Sequence, residues 1–190
     1  AALNLALIAG EDELLALENA LKNDSFWGVR AEIATALGST KLPLAFEKVK
    51  RAYVKEKDAR AKQIMLRVLG DSASPELAPF FIEQTKVANS YLIPAEAYRS
   101  LGKIRDAKVL SALEKGLHSP SWIDMIAAGA GTGMTSLQTQ EAFERLTKLV
   151  HPRYSNRIRQ TVAAGLGTIG KGRERAVDVL MDLMKDDYIN

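Results

Sequence analysis

Trp27-Gly-Val-Arg-Ala-Glu-Ile-Ala-Thr-Ala-Leu-Gly38 is the stretch that decides the fold. It reads as one short amphipathic helix closed by a Leu-Gly stop. The ending returns as Leu69-Gly70, Leu101-Gly102, Thr132-Gly133 and Leu166-Gly167, so the glycines step by 32, 32, 31 and 34 residues. A step held at that length is the mark of a repeat array.

The segment before each of these helices carries its own stripe. Leu14, Leu17 and Leu21 lie on one helical face. The stripe recurs as Phe46, Val49, Tyr53; Ala78, Phe81, Thr85; Leu110, Leu113, Leu117; Phe143, Leu146, Val150; and Val177, Leu180, Met184. Each unit is therefore helix A, a turn, helix B and a glycine stop. The units run over residues 11–38, 39–70, 71–102, 103–133 and 134–167, with a partial sixth over 168–190, in a single domain spanning 1–190. Ala1 to Gly10 reads as the end of a truncated preceding helix, because Gly10 sits near the repeat spacing from Gly38.

Boundary residues agree with this division. Ser74-Pro75, Asp106, Thr139 and Asn156 are cap candidates, and Ser121-Trp-Ile-Asp124 resembles a capping box. The terminal glycines suit the left-handed position after a helix. No alternating strand pattern competes. The tetratricopeptide repeat places Leu-Gly inside helix A, and the ankyrin signature is absent. The expected fold is all-α, a HEAT-like α-α superhelix (solenoid) of about five to six two-helix repeats, with B helices lining the concave side. No pair buries its stripes alone, so Leu113→Asp is expected to unfold the array.

Composition narrows the function classes. The chain has 190 residues, 47 % of them hydrophobic, enough for a continuous core. With no cysteine there are no disulfides, thiolate metal sites or cysteine nucleophiles. No apolar run reaches the length of a membrane span, and no signal peptide is visible. These features point to the cytoplasm. The net charge of +3 is slight support for a nucleic-acid partner.

No catalytic constellation emerges. His118 and His151 end the fourth and fifth A helices, one repeat apart. They read either as a metal pair or as caps on exposed carbonyls, and the absence of companion ligands favours caps. The zinc-peptidase motif, the phosphate loop and the nucleophile elbow are missing. Gly129-Ala-Gly-Thr-Gly133 follows no strand, and its register puts it inside a B helix. Trp27 and Trp122 open B helices, either as exposed anchors or as wedges between helices.

Charge is uneven. Lys48 to Lys62 holds seven Lys or Arg against Glu56 and Asp58, and Arg145 to Arg175 holds eight against Glu174. Arg30, Lys62 and Arg159 share one repeat position, eight residues before their glycines. They are the candidate concave-face binding residues, suited to carboxylates or phosphates. The competing reading is solvated helix faces.

The segment Asn23-Asp-Ser-Phe-Trp-Gly-Val-Arg-Ala31 resembles the C-terminal helical region of aminopeptidase N-like zinc metallopeptidases, the gluzincins. Ala112-Leu-Glu-Lys-Gly-Leu-His-Ser-Pro-Ser-Trp122 and Arg157-Ile-Arg-Gln-Thr-Val-Ala-Ala-Gly-Leu-Gly167 also look like that region. The resemblance implies that this chain is no enzyme itself. It implies an accessory domain that docks on an upstream peptidase domain of the same polypeptide, caps its cavity and limits peptide access. Zinc would sit in that upstream domain and no cofactor in this chain. Arg30, Lys62 and Arg159 would face the peptide's carboxylate. The alternative is a stand-alone HEAT-like scaffold with a protein partner in its concave groove. A nucleic-acid-binding HEAT-like domain ranks third, and no membrane partner is expected.

Overall fold

The computed structural model describes residues 11–185. The expected helix end over residues 1–10 and the last residues of the sixth repeat lie outside the described residues. Among the described residues all regular structure is helical. Two compact units meet at Ser74 and Pro75. The first holds α1 (Glu11–Asn23), α2 (Trp27–Ser39), α3 (Pro43–Lys55) and α4 (Ala59–Gly70). The second holds α5 (Ala78–Gln84), α6 (Leu92–Lys103), α7 (Leu110–Leu117), α8 (Met125–Leu137), α9 (Gln140–Leu146), α10 (Asn156–Ile169) and α11 (Glu174–Leu183).

Odd-numbered helices are the A helices and even-numbered ones the B helices. In the first unit α1 packs on α2 and α3 on α4, while α2 lies along α4. In the second unit α5 pairs with α6, α7 with α8 and α9 with α10, and the B helices α6, α8 and α10 pack in succession. This is the HEAT-like plan of helix pairs stacked on their neighbours. Short loops make the members of each pair antiparallel.

The A-helix stripes point inward as their spacing requires. Leu14, Leu17, Leu21, Val49, Tyr53, Phe81, Leu113, Leu117, Phe143 and Leu146 are buried. The sixth stripe is corrected: Val177 and Met184 are exposed, and Ala176 and Leu183 of α11 are buried instead. No described helix follows α11 to cover its other side, so α11 buries only the face it turns toward α10.

The glycine stops are also corrected. Gly38, Gly70 and Gly102 lie inside their helices, not beyond them. The left-handed residues come later in each B–A turn: Lys41, Ala73, Arg105, Gln138 and Gly172, spaced like the repeat. The internal glycines serve helix approach instead. A Cβ on Gly38 would come within 2.5 Å of Val68 in α4, and one on Gly129 within 2.5 Å of the Ala95 carbonyl oxygen in α6. One on Gly165 would overlap Thr135 of α8. The Gly129–Gly133 run is thus packing surface within α8.

Of the cap candidates, the Thr139 hydroxyl accepts from the Ala142 N–H at 3.2 Å and the Asp106 carboxylate from the Lys108 N–H at 2.9 Å. At α10 the cap is Ser155, one residue before Asn156. The A helices of neighbouring repeats are linked by ion pairs that repeat with the fold. Lys48 pairs with Glu18, Arg145 with Glu114 at 2.8 Å, and Arg175 with Glu144 at 2.6 Å.

Candidate functional site

Each of the three candidate cations is engaged within its own unit. Arg30 donates through Nε and Nη2 to Glu56 at 2.6 and 2.8 Å, and through Nη1 to the Asp24 carbonyl at 2.7 Å. Burial works against the Glu56 charge. The Arg30 guanidinium and the Asp58 and Lys57 N–H groups outweigh it, holding the carboxyl below its usual range. Lys62 sits over the Tyr53 ring, 4.8 Å from its centroid. Arg159 is 3 % exposed and donates from Nε to the Val150 carbonyl at 3.1 Å. Arg30 and Arg159 thus share more than register. Each satisfies a carbonyl at or just past the end of the preceding A helix, where backbone acceptors lack helical partners.

Arg159 also lines a cavity of about 550 Å³ with Lys148, His151, Arg153 and Asp182. A second cavity, of about 500 Å³, takes Lys115, His118, Glu114 and Tyr154, and it shares Lys148 and Arg153 with the first. The second lies where the A helices of the fourth and fifth repeats end, and the first between the A–B loop of the fifth repeat and α11 of the sixth. Their walls mix charged side chains with a few aliphatic ones, Leu117 and Leu149 in one and Val150 and Leu183 in the other. His118 and His151 are both exposed and line different cavities. His118 also supplies the backbone cap of α7. Among the described residues no three His, Asp or Glu side chains gather as a metal site.

The acids in these cavities are already paired. Glu114 is held by Arg145, and Asp182 by Lys185 at 2.9 Å. Lys115, Lys148 and Arg153 have no carboxylate partner among the described residues. Arg153 is fixed by its neighbours: its guanidinium lies 5.0 Å from the Tyr154 ring centroid, and Nη2 donates to the Tyr154 hydroxyl at 3.2 Å. Its backbone N–H donates to His151 Nδ1 at 3.2 Å.

Trp122 lies in the same A–B loop as His118, four residues on. The two tryptophans occupy one repeat position but differ in the structure. Trp27 is half-buried beneath Arg60, 4.1 Å from the ring centroid. Trp122 is 66 % exposed and its neighbour Ile123 46 %. Arg157 stands in the register place of Arg60, yet among the described residues it is not drawn over Trp122. The reason is local. α2 begins at Trp27, whereas Trp122 belongs to a 3-10 turn, Trp122–Asp124, with Ile123 and Asp124 left-handed at φ 47° and 53°. The expected capping box is replaced: Ser121 Oγ accepts from the Ile126 N–H at 3.0 Å, not from Asp124. The turn packs against α10, which begins two residues after the cavity-lining Tyr154.

Fold and site define a HEAT-like helical-repeat protein. No helix among the described residues is long and apolar enough to cross a membrane. No family model matches the chain, and no curated protein does. A solved structure of human deoxyhypusine hydroxylase in complex with glycerol is similar. It is 16 % identical, with 98 % of this chain and 83 % of that chain covered and a TM-score of 0.42. The expected place in the aminopeptidase N-like family is therefore corrected: no family model and no curated protein of that family matches the chain. The expectation that the chain is no enzyme stood on that resemblance and falls with it.

Proposed function

We propose that the chain is a helical-repeat scaffold that holds a partner protein at the A–B loops of its fourth and fifth repeats. The observation that carries this reading is Trp122 and Ile123, held out to solvent on a strained turn. A β-branched residue in the left-handed region is an outlier. Strain of this kind persists where the surroundings enforce it, and it collects at functional sites. Tryptophan is enriched among the residues that carry the binding energy of protein interfaces.

The test is to pan a displayed peptide library on the wild-type chain, with Trp122→Ala as the counter-selection. Clones that bind wild type and fail on Trp122→Ala are expected, with the thermal midpoint unchanged. If no clone prefers the wild type, the loop is not a docking surface.

A further inference from the structure

We infer that the partner segment is acidic and that the two cavities sharing Lys148 and Arg153 receive its carboxylates. This rests on the scaffold reading and names the chemistry of its occupant. Charge complementarity decides it. Both cavity acids, Glu114 and Asp182, already hold a cation, Arg145 and Lys185, and the basic side chains of the two linings outnumber them. Among the described residues Lys115, Lys148 and Arg153 have no carboxylate partner, and Arg153 lies against Tyr154. A fixed guanidinium loses little freedom on pairing, which favours carboxylate capture there.

The surroundings favour a peptide over a nucleic acid. In the first cavity the cations stand among the half-buried Val150 and Val179, so a segment mixing acidic and apolar side chains matches them. Further apolar groups would meet the exposed Trp122. A phosphate backbone brings a charge at every nucleotide and gains from a continuous basic track. Here Glu114, Glu144 and Asp182 interrupt the surface, and the whole chain carries only +3.

The experiment uses the full chain and three fluorescein-labelled probes. One is a short peptide alternating Glu or Asp with Leu and Phe. The second is its Gln and Asn isostere, and the third a duplex DNA. Fluorescence anisotropy is read on wild type, Lys148→Glu and Arg153→Glu, with the thermal midpoint recorded for each. Both positions are exposed, so both variants are expected to fold. The acidic peptide is expected to bind at least about tenfold tighter than its isostere and to lose about tenfold on either charge reversal. Equal binding of peptide and isostere overturns the acidic assignment, while any library clones dependent on Trp122 keep the scaffold reading alive. Tighter binding of duplex DNA than of the peptide overturns it in favour of a nucleic acid. Failure of all three probes to bind overturns it as well.

Discussion

Gly102 of α6 faces Gly133 of α8 so closely that a Cβ on Gly102 would overlap the carbonyl oxygen of Gly133. A Cβ on Gly133 would in turn overlap the Tyr98 carbonyl oxygen of α6. Gly167 carries the same Leu-Gly sequence signal but has nothing within 4 Å of where its Cβ would stand. The same motif therefore predicts opposite signs. Gly102→Ala and Gly133→Ala should each destabilise by about 1–3 kcal/mol or more through overpacking. Gly167→Ala, exposed within α10, should stabilise by about 0.5–1 kcal/mol. Urea unfolding of the three variants checks this.

The turns make a second prediction. Ala73 sits at φ 51°, a region that costs an L-residue roughly 1–2 kcal/mol. Ala73→Gly removes that cost, offset in part by the freer unfolded chain, and should stabilise by about 1 kcal/mol. A loss of stability in thermal unfolding would contradict the left-handed assignment.

A third concerns acid. Glu18 of α1 accepts from Lys22 and from Lys48 of α3, and these bonds hold its carboxyl down to about 2 against the cost of burial. Its folded value lies below the unfolded value of about 4.3. The stabilisation is therefore complete above the unfolded value and is lost as pH falls from there through about 2. Glu18→Gln should flatten that acid limb and leave an unpaired Lys48, lowering stability at neutral pH. An unchanged pH profile would show that the pair does not form.

A fourth concerns Arg30. Arg30→Ala strands the half-buried Glu56 carboxylate, which keeps its two backbone N–H donors, and should cost about 1–3 kcal/mol. Pairing Arg30→Met with Glu56→Met should recover much of that loss. A double-mutant cycle with no coupling would contradict the bidentate geometry.

The repeat was legible because Leu-Gly endings and A-helix stripes both follow from burial, and burial leaves a period in the chain. Where the chain bends was less legible. Lys41, Ala73 and Arg105 take the left-handed turn without being glycine, so composition hides it. The glycines mark close approach instead, which depends on a facing helix 30 or so residues away. The Val177 stripe misled because its burial needs a following helix, which no spacing within α11 reveals. Arg30 and Arg159 share a repeat position in the sequence, but their carbonyl partners in the preceding loop leave no mark there. The basic run from Arg145 was visible, but its gathering into two cavities required the fold. Trp27 and Trp122 look alike in sequence and part company only through the backbone at Ile123 and Asp124.

That backbone strain has its own consequence. Ile123→Gly should stabilise the chain by about 1 kcal/mol, since glycine takes the left-handed region freely. The same change should weaken capture of peptides selected on wild type, because the turn no longer holds Trp122 in place. Gain of stability with undiminished binding, measured side by side, would separate the strain from the function.

The most direct measurement is acrylamide quenching of Trp27→Phe, in which Trp122 is the one tryptophan left. An exposed indole on the 122–124 turn should emit at long wavelength and be quenched nearly as readily as free tryptophan amide. Short-wavelength emission resistant to quenching would mean that Trp122 is covered in the unbound chain, and the docking surface proposed here would not exist.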